Sequence, residues 1–172
     1  MARDDPVTIA NAAYALGEFG EDIGAMIPLI ERSLGFNPSY ARGWFLSGAI
    51  RVDAGHPDIA IGHVETSLRL SPRDRLGAHF SVIGTAHFFL RRFERAAQEL
   101  LVALQEHPGH PWPYRLLASR YAHMGMLDEA REIVERLRAI TPVVVPSAVP
   151  YRNPEHRELF LSGLRLAAGE ET

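Results

Sequence analysis

The sequence predicts an all-α chain, a right-handed α-solenoid of four helix-turn-helix units followed by one capping helix. Three observations carry that reading. Pro38, Pro72, Pro108 and Pro142 recur at separations of 34, 36 and 34 residues, the period of a helix pair. Each follows an amphipathic stretch, residues 30–36, 64–70, 100–104 and 134–140, and ends it because proline lacks the amide hydrogen a helix needs. Upstream of the last three prolines, a tight turn precedes a small residue: Gly55-His56-Pro57 before Ala60, Arg91-Arg92-Phe93 before Ala96, and Gly125-Met126-Leu127 before Ala130. In the first helices, Gly48, Gly84 and Ala118 each stand four residues after an aromatic, Trp44, Phe80 and Tyr114. A small residue there lets the paired helix approach closely, and the aromatic fills the space between neighbours.

The units span about 7–38, 39–72, 73–108 and 109–142. Unit one is the least regular. Met26 takes the place of the alanine, Pro28 falls inside the second helix and predicts a kink, and the turn lies at Gly20-Glu21-Asp22. In unit four, Leu127, Ala130, Val134 and Leu137 recur at steps of three and four, as do Tyr114, Leu117, Ala118 and Tyr121, so each set lies on one helical face. Residues 143–152 are rich in valine and proline and predict an extended linker. Asn153-Pro154-Glu155 then supplies an N-cap, a first-turn proline and an acidic residue, opening a helix over 153–168 expected to cap the stack as an unpaired first helix. Its Phe160-Leu161-Ser162-Gly163 repeats Phe45-Leu46-Ser47-Gly48 of unit two.

Taken together, the period, the aromatic-to-glycine spacing, the central alanines and the closing prolines make residues 7–142 resemble tetratricopeptide repeats. The resemblance implies a protein-interaction scaffold. The tail, ending in Gly163-Leu164-Arg165-Leu166-Ala167-Ala168-Gly169, is similar to the C-terminal repeat regions of bacterial adenylate/guanylate cyclases and winged-helix regulators. No cyclase domain stands in the 172 residues, so no activity of those relatives carries over. The lysine-based clamp that some such repeats use for acidic peptide C-termini is excluded, because all 18 basic residues are arginine.

Composition narrows the function further. With 47% apolar residues, the chain can bury a core. Having no cysteine, it offers no disulfide frame, thiol nucleophile or Cys-ligated zinc, and without lysine it offers no Schiff base or Walker-type phosphate lysine. A net charge of −3 argues against a nucleic-acid partner, which needs a clustered basic face. Arg3, Asp4 and Asp5 are followed by no apolar leader, and no stretch is long enough to insert in a membrane, so a cytoplasmic protein is expected. Asn37-Pro38-Ser39 is blocked as a glycosylation site by its proline and reads as a turn.

Candidate chemistry is sparse. His79 with His87, and His107 with His110, lack a third ligand, so no metal or other cofactor is expected. Asp128, Glu129, Glu132 and Glu135 alternate with Arg131, Arg136 and Arg138, the pattern of a solvated salt-bridge face. No phosphate loop or nucleophile elbow occurs, and no enzyme is expected.

The remaining surface is the concave face formed by the first helices. Projecting the helical period places Arg42, Phe45, Ala49 and Val52 of unit two there, Ser81, Thr85 and Phe88 of unit three, and Trp112, Arg115, Ser119 and His123 of unit four. Tyr14 and Glu18 extend it. These side chains suit a protein or peptide partner, with aromatics for burial and arginine for carboxylates or backbone oxygens. Phe45, Phe88 and Trp112 fit equally a second role, closing the stack. Replacing Arg115 together with Phe88 is expected to abolish capture while leaving helicity intact. The alternative function is a dimerisation or regulatory arm of a larger nucleotide cyclase or transcriptional regulator, with the N-terminal repeat contacting a second copy or an upstream domain.

Overall fold

A computed structural model describes residues 5–18, 23–73 and 76–170. The turn expected at Gly20-Glu21-Asp22 and the side chain of Glu18 lie outside the described residues. Among the described residues all regular structure is helical: α1 (Pro6–Glu18), α2 (Ile23–Phe36), α3 (Ala41–Ala54), α4 (Pro57–Leu70), α5 (Gly77–Phe89), α6 (Phe93–Glu106), α7 (Pro111–His123), α8 (Leu127–Arg138) and α9 (Pro154–Ala168). The first eight form antiparallel pairs, as an all-α helical repeat requires. They fall into two compact units, Met1–Arg75 and Leu76–Thr172.

The same turn closes the first helix of three pairs. Gly55, Arg91 and Gly125 all have positive φ, at 94°, 56° and 74°, and the amide after each bonds back across the turn: His56 to the Arg51 carbonyl, Arg92 to that of His87, and Met126 to that of Tyr121. This left-handed stop satisfies the last carbonyls of the helix. Arg91 adopts it without the steric freedom of glycine. The small residues that follow, Ala60, Ala96 and Ala130, are wholly buried.

In the first unit, Ala10, Ala13, Met26, Ile30, Leu46 and Ile50 form the core, with Tyr40 and Phe45 packed against it. Helix α2 runs through Pro28 as one element. Ser33 donates to the Pro6 carbonyl at 2.6 Å, and Arg51 pairs with Glu31, tying α3 to α2. A Cβ on Gly48 would lie 2.5 Å from Val64 Cγ2 and 3.1 Å from the Ala60 carbonyl oxygen, so only glycine permits this α3–α4 approach. The aromatic positions carry an unexpected polar function. Trp44 Nε1 donates to the Pro38 carbonyl at 2.8 Å, and in the second unit the Tyr114 hydroxyl donates to that of Pro108 at 3.0 Å. Each aromatic thereby fixes the proline turn six residues before it.

In the second unit, a Cβ on Gly84 would lie 2.7 Å from Leu100 Cγ, repeating the close approach for α5 and α6. The outer face of α8 holds ion pairs of Arg131 with Asp128, Arg136 with Glu132 and Arg138 with Glu135, all exposed, which contribute at most a few tenths of a kcal/mol each. Helix α9 begins with Asn153 Oδ1 accepting from the Glu155 amide at 2.9 Å and ends at Gly169, φ 77°. It packs on α7 as extensively as α8 does, far more than α5 packs on α7, and touches α8 only marginally. Its seat is therefore like that of a partner within a helix pair, and unlike that of the next first helix in a stack.

Candidate functional site

Helix α7 presents the most developed surface. It starts with His110, whose Nδ1 accepts from the Trp112 amide at 3.2 Å, and Pro111 and Pro113 in the first turn, where a missing amide hydrogen costs nothing. Trp112, Arg115, Ser119 and His123 follow at steps of three, four and four, so they form one strip along the helix. The structure brings this strip together, and the chain's own C-terminal segment lies on it.

Arg115 is 7% exposed. Its Nε donates to the Val144 carbonyl at 3.0 Å and a terminal nitrogen donates to the Val143 carbonyl at 2.7 Å. The guanidinium carbon sits 5.4 Å from the centre of the Trp112 ring. Burial lowers the Arg115 pKa, with the Tyr151 hydroxyl opposing the shift. A guanidinium keeps its charge even so, and with no carboxylate paired to it among the described residues, two backbone carbonyls take the place of its hydration shell. Such charge-assisted bonds contribute about 1.5–3 kcal/mol each.

Further along the strip the recognition again runs from side chain to backbone. Ser119 Oγ donates to the Phe160 carbonyl at 3.1 Å, and His123 Nε2 lies 2.6 Å from the Leu159 carbonyl, which can only accept, so the ring nitrogen donates. Gly163 makes this possible. A Cβ there would lie 2.3 Å from Ser119 Oγ and 2.6 Å from His123 Nε2. Trp112 Nε1 donates to the Tyr151 hydroxyl at 2.7 Å, and its ring stacks on Phe160 at 5.5 Å. Tyr151 is 1% and Phe160 0% exposed.

The other expected site residues are placed differently. In the second unit, Thr85 is buried and its hydroxyl donates to the Ser81 carbonyl one turn earlier at 2.7 Å, while Ser81 is half-buried. Phe88 is fully enclosed, with Phe89, Phe93 and His123 around it. Substituting it removes core, so an Arg115 and Phe88 double variant would report on packing as well as on capture. In the first unit, Arg42 and Tyr14 are exposed and Phe45 is half-buried against the core. Residues absent from the sequence expectation are Tyr151, Gly163, Phe89 and His156. Only Gly163 had a signal, since the Phe160–Gly163 quartet copies the one around the close-approach Gly48.

His156 stacks flat on Phe89 at 4.3 Å, beside the edge of Tyr151 on the same ring at 4.6 Å. Its Nδ1 is buried with no partner among the described residues, and burial lowers its pKa, with Glu155 opposing. A depressed imidazole pKa means that the undocked tail binds the proton more tightly than the docked one. Docking is therefore at full strength above about pH 6.5 and weakens as the pH falls through that value toward the lowered pKa. Thermal stability should drop more between pH 7.5 and 5.5 in the native chain than in a His156→Phe variant, and equal drops would remove His156 from the effect. His110 and His63 shift the same way and are common to both proteins.

Among the described residues no three His, Cys, Asp or Glu side chains gather as metal ligands, and no helix is long and apolar enough to cross a membrane. His79 Nδ1 accepts from the Leu76 amide at 3.4 Å and His110 caps α7, so both serve helix starts.

The helix pairs, the repeated left-handed turns and the small-residue contacts define an all-α helical-repeat fold. Residues 90–144, from the α5–α6 turn past the end of α8, match the tetratricopeptide repeat family. No curated protein matches the chain. Among solved structures, the chain is similar to YrrB, a tetratricopeptide repeat protein with an unusual peptide-binding site, at 22% identity and a TM-score of 0.63 over 98% of this chain and 87% of that one. It is also similar to MamA from Desulfovibrio magneticus RS-1, at 15% identity and a TM-score of 0.68 over 81% and 77%. Cut9 bound to Hcn1 matches at 15% identity and a TM-score of 0.74, over 94% of this chain and 30% of that one. These likenesses establish the fold.

Proposed function

We propose that the chain is a non-catalytic protein-binding module whose first-helix faces take up peptide segments. On the second unit the face is Trp112, Arg115, Ser119 and His123; on the first unit it is Arg42 and Phe45, the exposed cation and half-buried aromatic of α3. The single observation that carries the reading is that Arg115 donates from two nitrogens to the successive carbonyls of Val144 and Val143 in a non-helical segment. Backbone-directed bonds of this kind bind a peptide without demanding a particular side chain, and the neighbouring Trp112 ring supplies apolar burial. The fold shared with YrrB, a peptide-binding repeat protein, supports the same assignment.

The test is selection from a random peptide library on the intact chain. Enriched peptides should bind Arg115→Met at least about tenfold more weakly, the equivalent of losing one charge-assisted hydrogen bond. Enrichment of no peptide, or equal affinity for the variant, would count against the assignment.

A further inference from the structure

We infer that residues 143–168 are an internal ligand of the α7 face, and that the face is built for a partner segment of the same chemistry supplied in trans. That segment has a non-helical valine- and proline-rich stretch, an aromatic hydroxyl, and a helix with a glycine where it crosses α7. The inference rests on the proposed peptide-binding role of the face and deepens it by naming the ligand class and the regulation.

Four observations converge. First, the connection from α8 to α9 runs from Ala139 to Asn153 and contains no helix, whereas α6 and α7 are joined across only residues 107–110. A long connection lets α9 leave the stacking position that a short one would impose. Second, α9 uses that freedom to settle on α7 and not chiefly on α8. Third, four α7 side-chain donors face tail backbone carbonyls: two nitrogens of Arg115, the Ser119 hydroxyl and His123 Nε2. Donors aimed at main chain fit any segment that presents carbonyls in this geometry. Fourth, side-chain selectivity comes from Tyr151 and Phe160 against Trp112, from Tyr151 and His156 against Phe89, and from the absent side chain at Gly163. The middle of the connection is open at Ser147 and Ala148, which are exposed, between the anchors at Val143–Val144 and Tyr151. A tethered segment competes at the high effective concentration its linker sets. The intact chain therefore shows a partner only the fraction of faces whose tail is undocked.

The experiment uses the full chain and a labelled synthetic peptide of residues 143–170. Gly163→Val forces α9 off Ser119 and His123 without altering α7, and the labelled peptide should then bind about tenfold or more tightly than to the native chain. Adding Arg115→Met to that variant should remove the gain. Equal affinity for the native chain and Gly163→Val overturns the internal-ligand reading while leaving peptide binding by the face intact. Absence of binding to both, with helicity retained, overturns both readings. Should Gly163→Val lose its fold, a protease site placed at Ser147–Ala148 in the otherwise native chain gives a second measure. After cutting, the free peptide should exchange with the nicked tail, and collapse of the second unit on cutting overturns the inference.

Discussion

Phe88→Ala should lower the stability of the second unit by about 3–5 kcal/mol, the usual cost of emptying a phenylalanine site in a core. The ring is 0% exposed and lies 5.6 Å from that of Phe89, 5.7 Å from Phe93 and 6.4 Å from His123. Those neighbours belong to three elements, α5, α6 and α7, and cannot all close on the space a truncation leaves. For a unit of roughly 100 residues the loss corresponds to a fall in Tm of more than about 12 °C, read by far-UV circular dichroism. Phe45→Ala, on a half-buried ring, should cost about 1–2 kcal/mol. If the two variants melt together, the enclosure of Phe88 is wrong. The same argument decides which substitutions report on recognition. Arg115 alone changes the bonds to the tail, whereas any variant that includes Phe88 reads core loss first.

The repeat pattern was legible because its causes are local. A proline ends a helix wherever it stands, and a turn needs its left-handed residue at a fixed distance from the next helix. Spacing alone therefore grouped Arg91 with Gly55 and Gly125, and all three share positive φ. The aromatic positions were legible as wedges, but their bonds to the Pro38 and Pro108 carbonyls were not, since periodicity describes faces and says nothing of a donor's reach. The α7 strip was legible for the same reason as the helices. What covers it was not. Residues 143–152 carry neither a period nor a fixed turn, so their path is set by Arg115, Trp112 and Gly163, contacts between residues far apart in sequence. Thr85 and Phe88 mark the other limit. Projection from Gly84 placed them on a face, and only the packing of α6 and α7 shows that this part of the face is interior.

Gly48→Val should destabilise the first unit by about 3 kcal/mol, while Gly62→Ala in the paired helix should stabilise it by about 0.5–1 kcal/mol. Both positions are helical glycines, and any added carbon improves intrinsic helix propensity at either. Packing reverses the sign at one of them. Beside Gly48 stand Val64 Cγ2 at 2.5 Å and the Ala60 carbonyl oxygen at 3.1 Å. Val64 is fully buried and stiff at its first torsion, and Ala60 offers backbone, so neither can yield cheaply. Around Gly62 nothing lies within 4 Å. Trp44 fluorescence in a Trp112→Phe background reports the first unit, and the urea midpoint should move down for Gly48→Val and up for Gly62→Ala at unchanged slope. Shifts of the same sign would mean that helix propensity, and not the closeness of α3 to α4, governs this pair.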